Sequence, residues 1–286
     1  MRSGEHLPLL FSVALVLLFG CGMDLLLAST GREAYPVLAL EPQDGIEAQY
    51  RGNLRYDPAL ERVQAALPAL RDRALERAQR ATGLPTADPA RFVVRLRDFG
   101  SRTVGASSQP VRTAAGDRLL ISVSSEQVRL GQMDLEGSLA HELTHGLMRE
   151  HLGPRYRRLP AWVREGVAVW AAGQIPERTR IAFGLYWQEG LDLGAVLDEQ
   201  PMLPSLGDDY LENALLFQGM QDELGGDSVR AFLRALVEGA EVPEAFDEAT
   251  ALTWLELEEL RARAARRLVK GFLPPDRLQA MLLSVP

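Results

Sequence analysis

His141-Glu142-Leu143-Thr144-His145 is the stretch on which the reading of this chain turns. In a helix, residues four apart stack on one face, so His141 and His145 bring two imidazole nitrogens within reach of one metal ion. Glu142 points about 60–100° around the same helix from either histidine. That direction suits a carboxylate that touches the water on a metal rather than the metal itself. Leu139, Leu143 and Leu147 form an apolar stripe roughly opposite the histidines, so one face can dock on a core while the other lines a cleft. The chain holds four histidines, and two of them are these. The plain alternative is a helix with two incidental surface histidines. His151 falls at or past the end of the helix, where the dipole favours an imidazolium, and is read as no ligand.

A catalytic zinc takes three protein ligands and leaves a fourth position for water. The third candidate is Glu165, in Leu159-Pro160-Ala161-Trp162-Val163-Arg164-Glu165-Gly166-Val167-Ala168-Val169-Trp170. Pro160 suits a first helical turn and Gly173 the end. Between them the helix is apolar almost all round, the mark of a buried helix, with Arg164 and Glu165 its only charges. An unpaired buried carboxylate is costly, so Glu165 needs a cation. A metal is one; Arg155, Arg157 or Arg158 in the preceding loop is the alternative.

H-E-L-T-H, the nineteen-residue gap to Glu165 and the W-x-x-E-G-x-A setting resemble the gluzincins. These are zinc peptidases with a glutamate third ligand on a second helix, as in thermolysin and aminopeptidase N. The compact bacterial peptidase MA-like domains are the most similar. A metzincin would need a third histidine soon after the first two, and none stands in register. The resemblance spans about residues 57 to 265; its specific part is about 135 to 225. It implies an α+β fold: a mostly helical gluzincin fold, with a small β-sheet before the active-site helix and a second helix carrying the glutamate. It implies Zn²⁺ on His141, His145 and Glu165, and Glu142 as general base and then acid. It also implies an oxyanion partner beyond the third ligand, for which Tyr210 is the candidate. A core tyrosine is the alternative there, and Tyr186 the alternative catalytic residue. An edge strand beside the zinc helix that pairs with substrate backbone is implied too. Gly105, Ala106 and Ser107 are the candidates, and an ordinary loop is the alternative. One departure stands out. Thermolysin-like relatives carry an aspartate one turn after the glutamate, holding the first histidine, and this chain has Val169. A backbone carbonyl or another carboxylate is expected to serve instead.

Residues Leu7 to Leu27 are apolar except for Ser12 and Asp24, with Gly20, Cys21 and Gly22 interrupting them. This resembles an export signal. Leu18-Phe19-Gly20-Cys21 resembles a bacterial lipobox, in which Cys21 is lipidated; Phe19 is bulkier than that pattern prefers. Cys21 is the only cysteine, so no internal disulfide can form. An uncleaved membrane anchor and another processed signal are the alternatives, the first having the length to span a bilayer. The organisation expected is a signal, lipobox or anchor at 1–28, a tether at 29–56 and one metallopeptidase domain at 57–286. The place expected is the bacterial cell envelope. The net charge of −8, without long like-charge blocks, argues against a nucleic-acid partner.

Within the domain, Pro58 to Thr82 reads as helix with Pro68 a kink or break, and Gly83-Leu84-Pro85 as its end. Phe92 to Arg97 and Leu119 to Ser124 alternate as strands, while Gly100 to Gly116 reads as a loop or a weak edge strand around 104–107. Tyr210 to Leu224 and Val229 to Val237 read as helices, the second capped by Asp227 or Ser228. Thr253-Trp254-Leu255-Glu256 reads as a capping box before a final helix to about Lys270, with Trp254, Leu255 and Leu257 expected in the core.

The function expected is a membrane-tethered zinc metallopeptidase acting on a peptide or protein substrate. A zinc-binding or interaction lipoprotein without turnover is the second class, and a metal-free structural protein the third. An intact Glu142 counts against the second, and a buried Glu165 without a cation against the third.

Overall fold

Phe92–Arg97 and Gly116–Ser124 (β1 and β3) lie side by side and parallel, with Phe92 opposite Leu119, Val94 opposite Ile121 and Leu96 opposite Val123. The computed structural model describes residues 58–86, 88–99, 105–113, 116–131, 133–179 and 209–272. Ala106–Thr113 (β2) pairs antiparallel with the other side of β3, giving the order β1-β3-β2. The central strand is covered on both faces: Leu120, Ile121 and Val123 are fully buried, so its apolar run is nearly continuous. β2 is longer than the short segment anticipated. Residues 108–113, read as loop, join it because an edge strand needs a backbone ladder on only one side. Pro110 is tolerated there for the same reason.

Helices make up the rest, so the fold is α+β and mostly helical. In chain order they are α1 (Pro58–Thr82), α2 (Ser125–Arg129), α3 (Leu135–Leu152), α4 (Ala161–Ala172), α5 (Asp209–Leu224), α6 (Gly226–Glu238), α7 (Val242–Thr250) and α8 (Trp254–Phe272). Residues 89–91 and 153–158 form 3₁₀ turns, and residues 175–179 are helical. Among these, α2 and α7 had no sequence expectation.

Of the kink or break expected at Pro68, the break does not occur: α1 continues through it. Its inner face, Leu60, Leu67, Ala74, Leu75 and Ala78, is buried on both sides of the proline, and that packing offsets one missing hydrogen bond. α6 begins a turn earlier than expected. Asp227 and Ser228 are therefore inside its first turn rather than capping it, and the Ser228 hydroxyl donates to the Met220 and Gly225 carbonyls instead. The box at Thr253 forms as expected, with the Thr253 N–H donating to Glu256 at 2.7 Å. Leu257 is buried, but Trp254 and Leu255 are 55% and 58% exposed. They occupy the first turn of α8, before the helix reaches the core, and Trp254 makes T-shaped ring contacts with Trp162 and Phe246.

α3 is the helix with the pentapeptide. Asp134 caps it by accepting the Gly137 N–H at 3.1 Å, and it ends at Gly153. Leu139, Leu143 and Leu147 are fully buried, as the stripe requires. Gly146, next to His145, lets α3 sit against the sheet: a Cβ there would stand 2.7 Å from both Leu119 and Phe92. α4 packs between α3 and α5, and this three-helix contact frames the site.

Candidate metal centre

His141 and His145 project from α3 one turn apart, both buried, with ring centroids 4.7 Å apart. Their Nε2 atoms are 3.1 Å from each other. Glu165, in the second turn of α4, brings Oε2 to 3.4 Å from His141 Nε2 and 3.3 Å from His145 Nε2. The three residues form a group that can hold a metal ion. An ion bound tetrahedrally at about 2.0–2.1 Å keeps neighbouring donors about 3.3 Å apart, so the observed spacings fit that edge length.

Electrostatics leads to the same place. Burial pushes the Glu165 carboxyl up, but the charge of His145 and hydrogen bonds from both histidines outweigh it and hold it well below the usual carboxylate range. The positive charge that offsets the carboxylate there is a proton on the histidines or a metal ion in its place. Arg155, offered as an alternative partner for Glu165, donates instead to the Val237 carbonyl at 2.6 Å. The carboxylate's close partners are the two histidines.

The outer nitrogens of both rings are also held. His141 Nδ1 lies 3.0 Å from Gln174 Oε1 and donates to that amide oxygen, while Nε2 is the atom turned toward Glu165. His145 Nδ1 lies 2.9 Å from the Tyr156 hydroxyl. Burial pushes that hydroxyl up to about 12, against the pull of the nearby Arg149 and Arg164 charges, so it stays a neutral phenol. The carbonyl or carboxylate expected beside the first histidine, His141, is thus replaced by the Gln174 amide, and His145 has the Tyr156 phenol. Neither was singled out from sequence. Gln174 sits beyond the helix end, where only the turn decides its direction. Gly173 adopts φ 63°, ψ 33°, and the Gln174 N–H donates back to the Val169 carbonyl, swinging the side chain toward α3. An L-residue at 173 would be strained by its φ, and its Cβ would collide with Arg77.

Glu142 is half-buried on α3, between the histidines in sequence. Tyr210, in the first turn of α5, places its ring centroid 6.5 Å from that of His141, while the Arg178 guanidinium stacks 4.6 Å over the tyrosine ring. Gly105 directly precedes β2 and accepts the Ser124 N–H at 2.7 Å; Ala106 and Ser107 are its first residues, paired with Val123 and Ser122. The segment is an edge strand rather than a loop. His151 lies in the last turn of α3 and bonds the Pro85 carbonyl at 2.6 Å, apart from the metal-binding group. Cys21, Tyr186, the signal-like run and the tether lie outside the described residues.

No family model, curated protein or solved structure matches the chain. Among the described residues, no helix is long and apolar enough to cross a membrane. What fold and site define together is a mostly helical α+β protein with two buried histidines and a half-buried glutamate that could hold a metal ion.

Proposed function

We propose that the chain is a zinc-dependent metallopeptidase with a gluzincin fold, exported and attached to the bacterial envelope. The observation that carries this reading is the meeting of His141, His145 and Glu165 at 3.1–3.4 Å from two helices, with Glu142 between the histidines. Two imidazoles and one carboxylate are a donor set that suits zinc and leaves a coordination position open. Zinc held there supplies a Lewis acid that polarises a scissile carbonyl and makes water a nucleophile near neutral pH. Glu142 takes the proton of the attacking water and passes it to the leaving amine. Tyr210 donates its phenolic hydrogen to the developing oxyanion. The edge of β2 that no described strand pairs with, starting at Ala106 and Ser107, would offer backbone groups to an extended peptide.

Glu142→Gln separates binding from chemistry. It keeps shape and removes the base, so zinc stays at about one per chain while peptide turnover drops by roughly 10²-fold or more. Metal analysis and a peptide-library assay on both proteins check this. Wild-type turnover in the variant removes Glu142 from the mechanism. A zinc-loaded wild type inactive on every peptide is instead a metal-binding lipoprotein.

Attachment rests on Cys21 and the lipobox-like run before it. Expressed in a bacterium, the wild-type chain takes up labelled fatty acid and Cys21→Ser does not. Detergent-phase partitioning that survives Cys21→Ser, with the signal uncleaved, assigns attachment to an apolar anchor.

A further inference from the structure

A metal-binding imidazole usually donates its outer N–H to a group that sets its tautomer and aim, and a carboxylate there adds basicity to the ligand. Both outer groups are visible in this site, and neither is a carboxylate. Gln174, 7% exposed, faces His141 Nδ1 at 3.0 Å. Tyr156, 3% exposed, faces His145 Nδ1 at 2.9 Å. Each is itself held from behind. The left-handed turn at Gly173 directs Gln174. The 3₁₀ turn carrying Tyr156 is tied to the end of α6 through Arg155 and the Val237 carbonyl. The guanidiniums of Arg149 and Arg164 lie 5.0 and 5.5 Å from the centre of the Tyr156 ring, at cation–π range. Two buried polar groups held in this way, each aimed at the non-ligating nitrogen of a different histidine, amount to a constructed outer layer.

We propose that Gln174 and Tyr156 are the positioning residues of the metal centre, one for each histidine. Because both are neutral, the site draws its affinity from the aim of the imidazoles, and Glu165 is the only formal negative charge in the ligand set. This rests on the metal reading of His141, His145 and Glu165, and assigns roles to residues outside that group.

The test measures zinc affinity of the full chain by competition with a chromogenic chelator, with circular dichroism of the metal-free proteins to check folding. Gln174→Met keeps length and removes the acceptor; Tyr156→Phe removes only the hydroxyl. Each is expected to weaken zinc binding roughly 10–100-fold. Gln174→Glu, which restores an acceptor and adds charge, is expected to bind more tightly than wild type. A general packing defect would not reverse sign in this way. A wild type with one zinc, and both neutral variants within twofold of it, overturns this inference alone. A wild type that takes up no zinc overturns the metal reading as well.

Discussion

Glu165→Ala is expected to take bound zinc well below one per chain and to abolish peptide hydrolysis. The carboxylate is the only acidic member of the group that can hold the ion, and it reaches it from a different helix than the histidines do. Without it, two neutral imidazoles on a single turn remain, and the charge that offsets part of the cation's is lost. His141→Ala and His145→Ala are expected to have the same outcome, since each removes a ligand that α3 presents at fixed spacing. Elemental analysis after dialysis, alongside turnover, checks all three. A Glu165→Ala protein with full zinc and unchanged affinity would remove Glu165 from the ligand set. The fold need not suffer. Val163, Val167 and Trp170 hold α4 in place whether or not residue 165 bears a charge.

Much of this site can be read along the chain because helical spacing does the geometry. The i, i+4 relation of His141 and His145 places them on one face whatever surrounds the helix. Glu165 stands out as the one carboxylate in a helix whose only other charge is Arg164, where burial makes a cationic partner necessary. The outer layer is different. Gln174 reaches His141 only through the left-handed turn at Gly173, and Tyr156 reaches His145 only through the path of a 3₁₀ turn. Neither has a period, and the arginine-rich loop around Tyr156 invited an ion-pair reading that Arg155 answers with a carbonyl instead. The sheet shows the same division. β1 and β3 carry apolar alternation, whereas β2 is small and polar and becomes a strand because β3 offers it a ladder. At α8 the capping box located the start of the helix, yet the exposure of Trp254 and Leu255 depends on how far that first turn stands from the core.

Tyr210→Phe is expected to cut kcat by roughly 10²–10³-fold, about 3–4 kcal/mol of transition-state stabilisation, the usual effect of losing one oxyanion donor. The ring centroid lies 6.5 Å from that of His141, so Tyr210 borders the metal-binding group while it also packs against the core. Ala214 and Phe217, one and two turns further along α5 on the same side, are fully buried and hold that face inward. Arg178 stacks on the ring, which limits its rotation and favours a phenol directed to one place. A neutral phenol is well matched to this role, because it donates a hydrogen bond to a charge that exists only in the transition state, and phenylalanine retains the packing. KM and zinc content should therefore barely move while kcat falls. A purely structural tyrosine would show the reverse, with stability altered and kcat near wild type. Steady-state kinetics on Tyr210→Phe and Tyr186→Phe, with zinc measured in each, decide between the two tyrosines. A Tyr210→Phe enzyme within twofold of wild type beside a crippled Tyr186→Phe would transfer the oxyanion role to Tyr186.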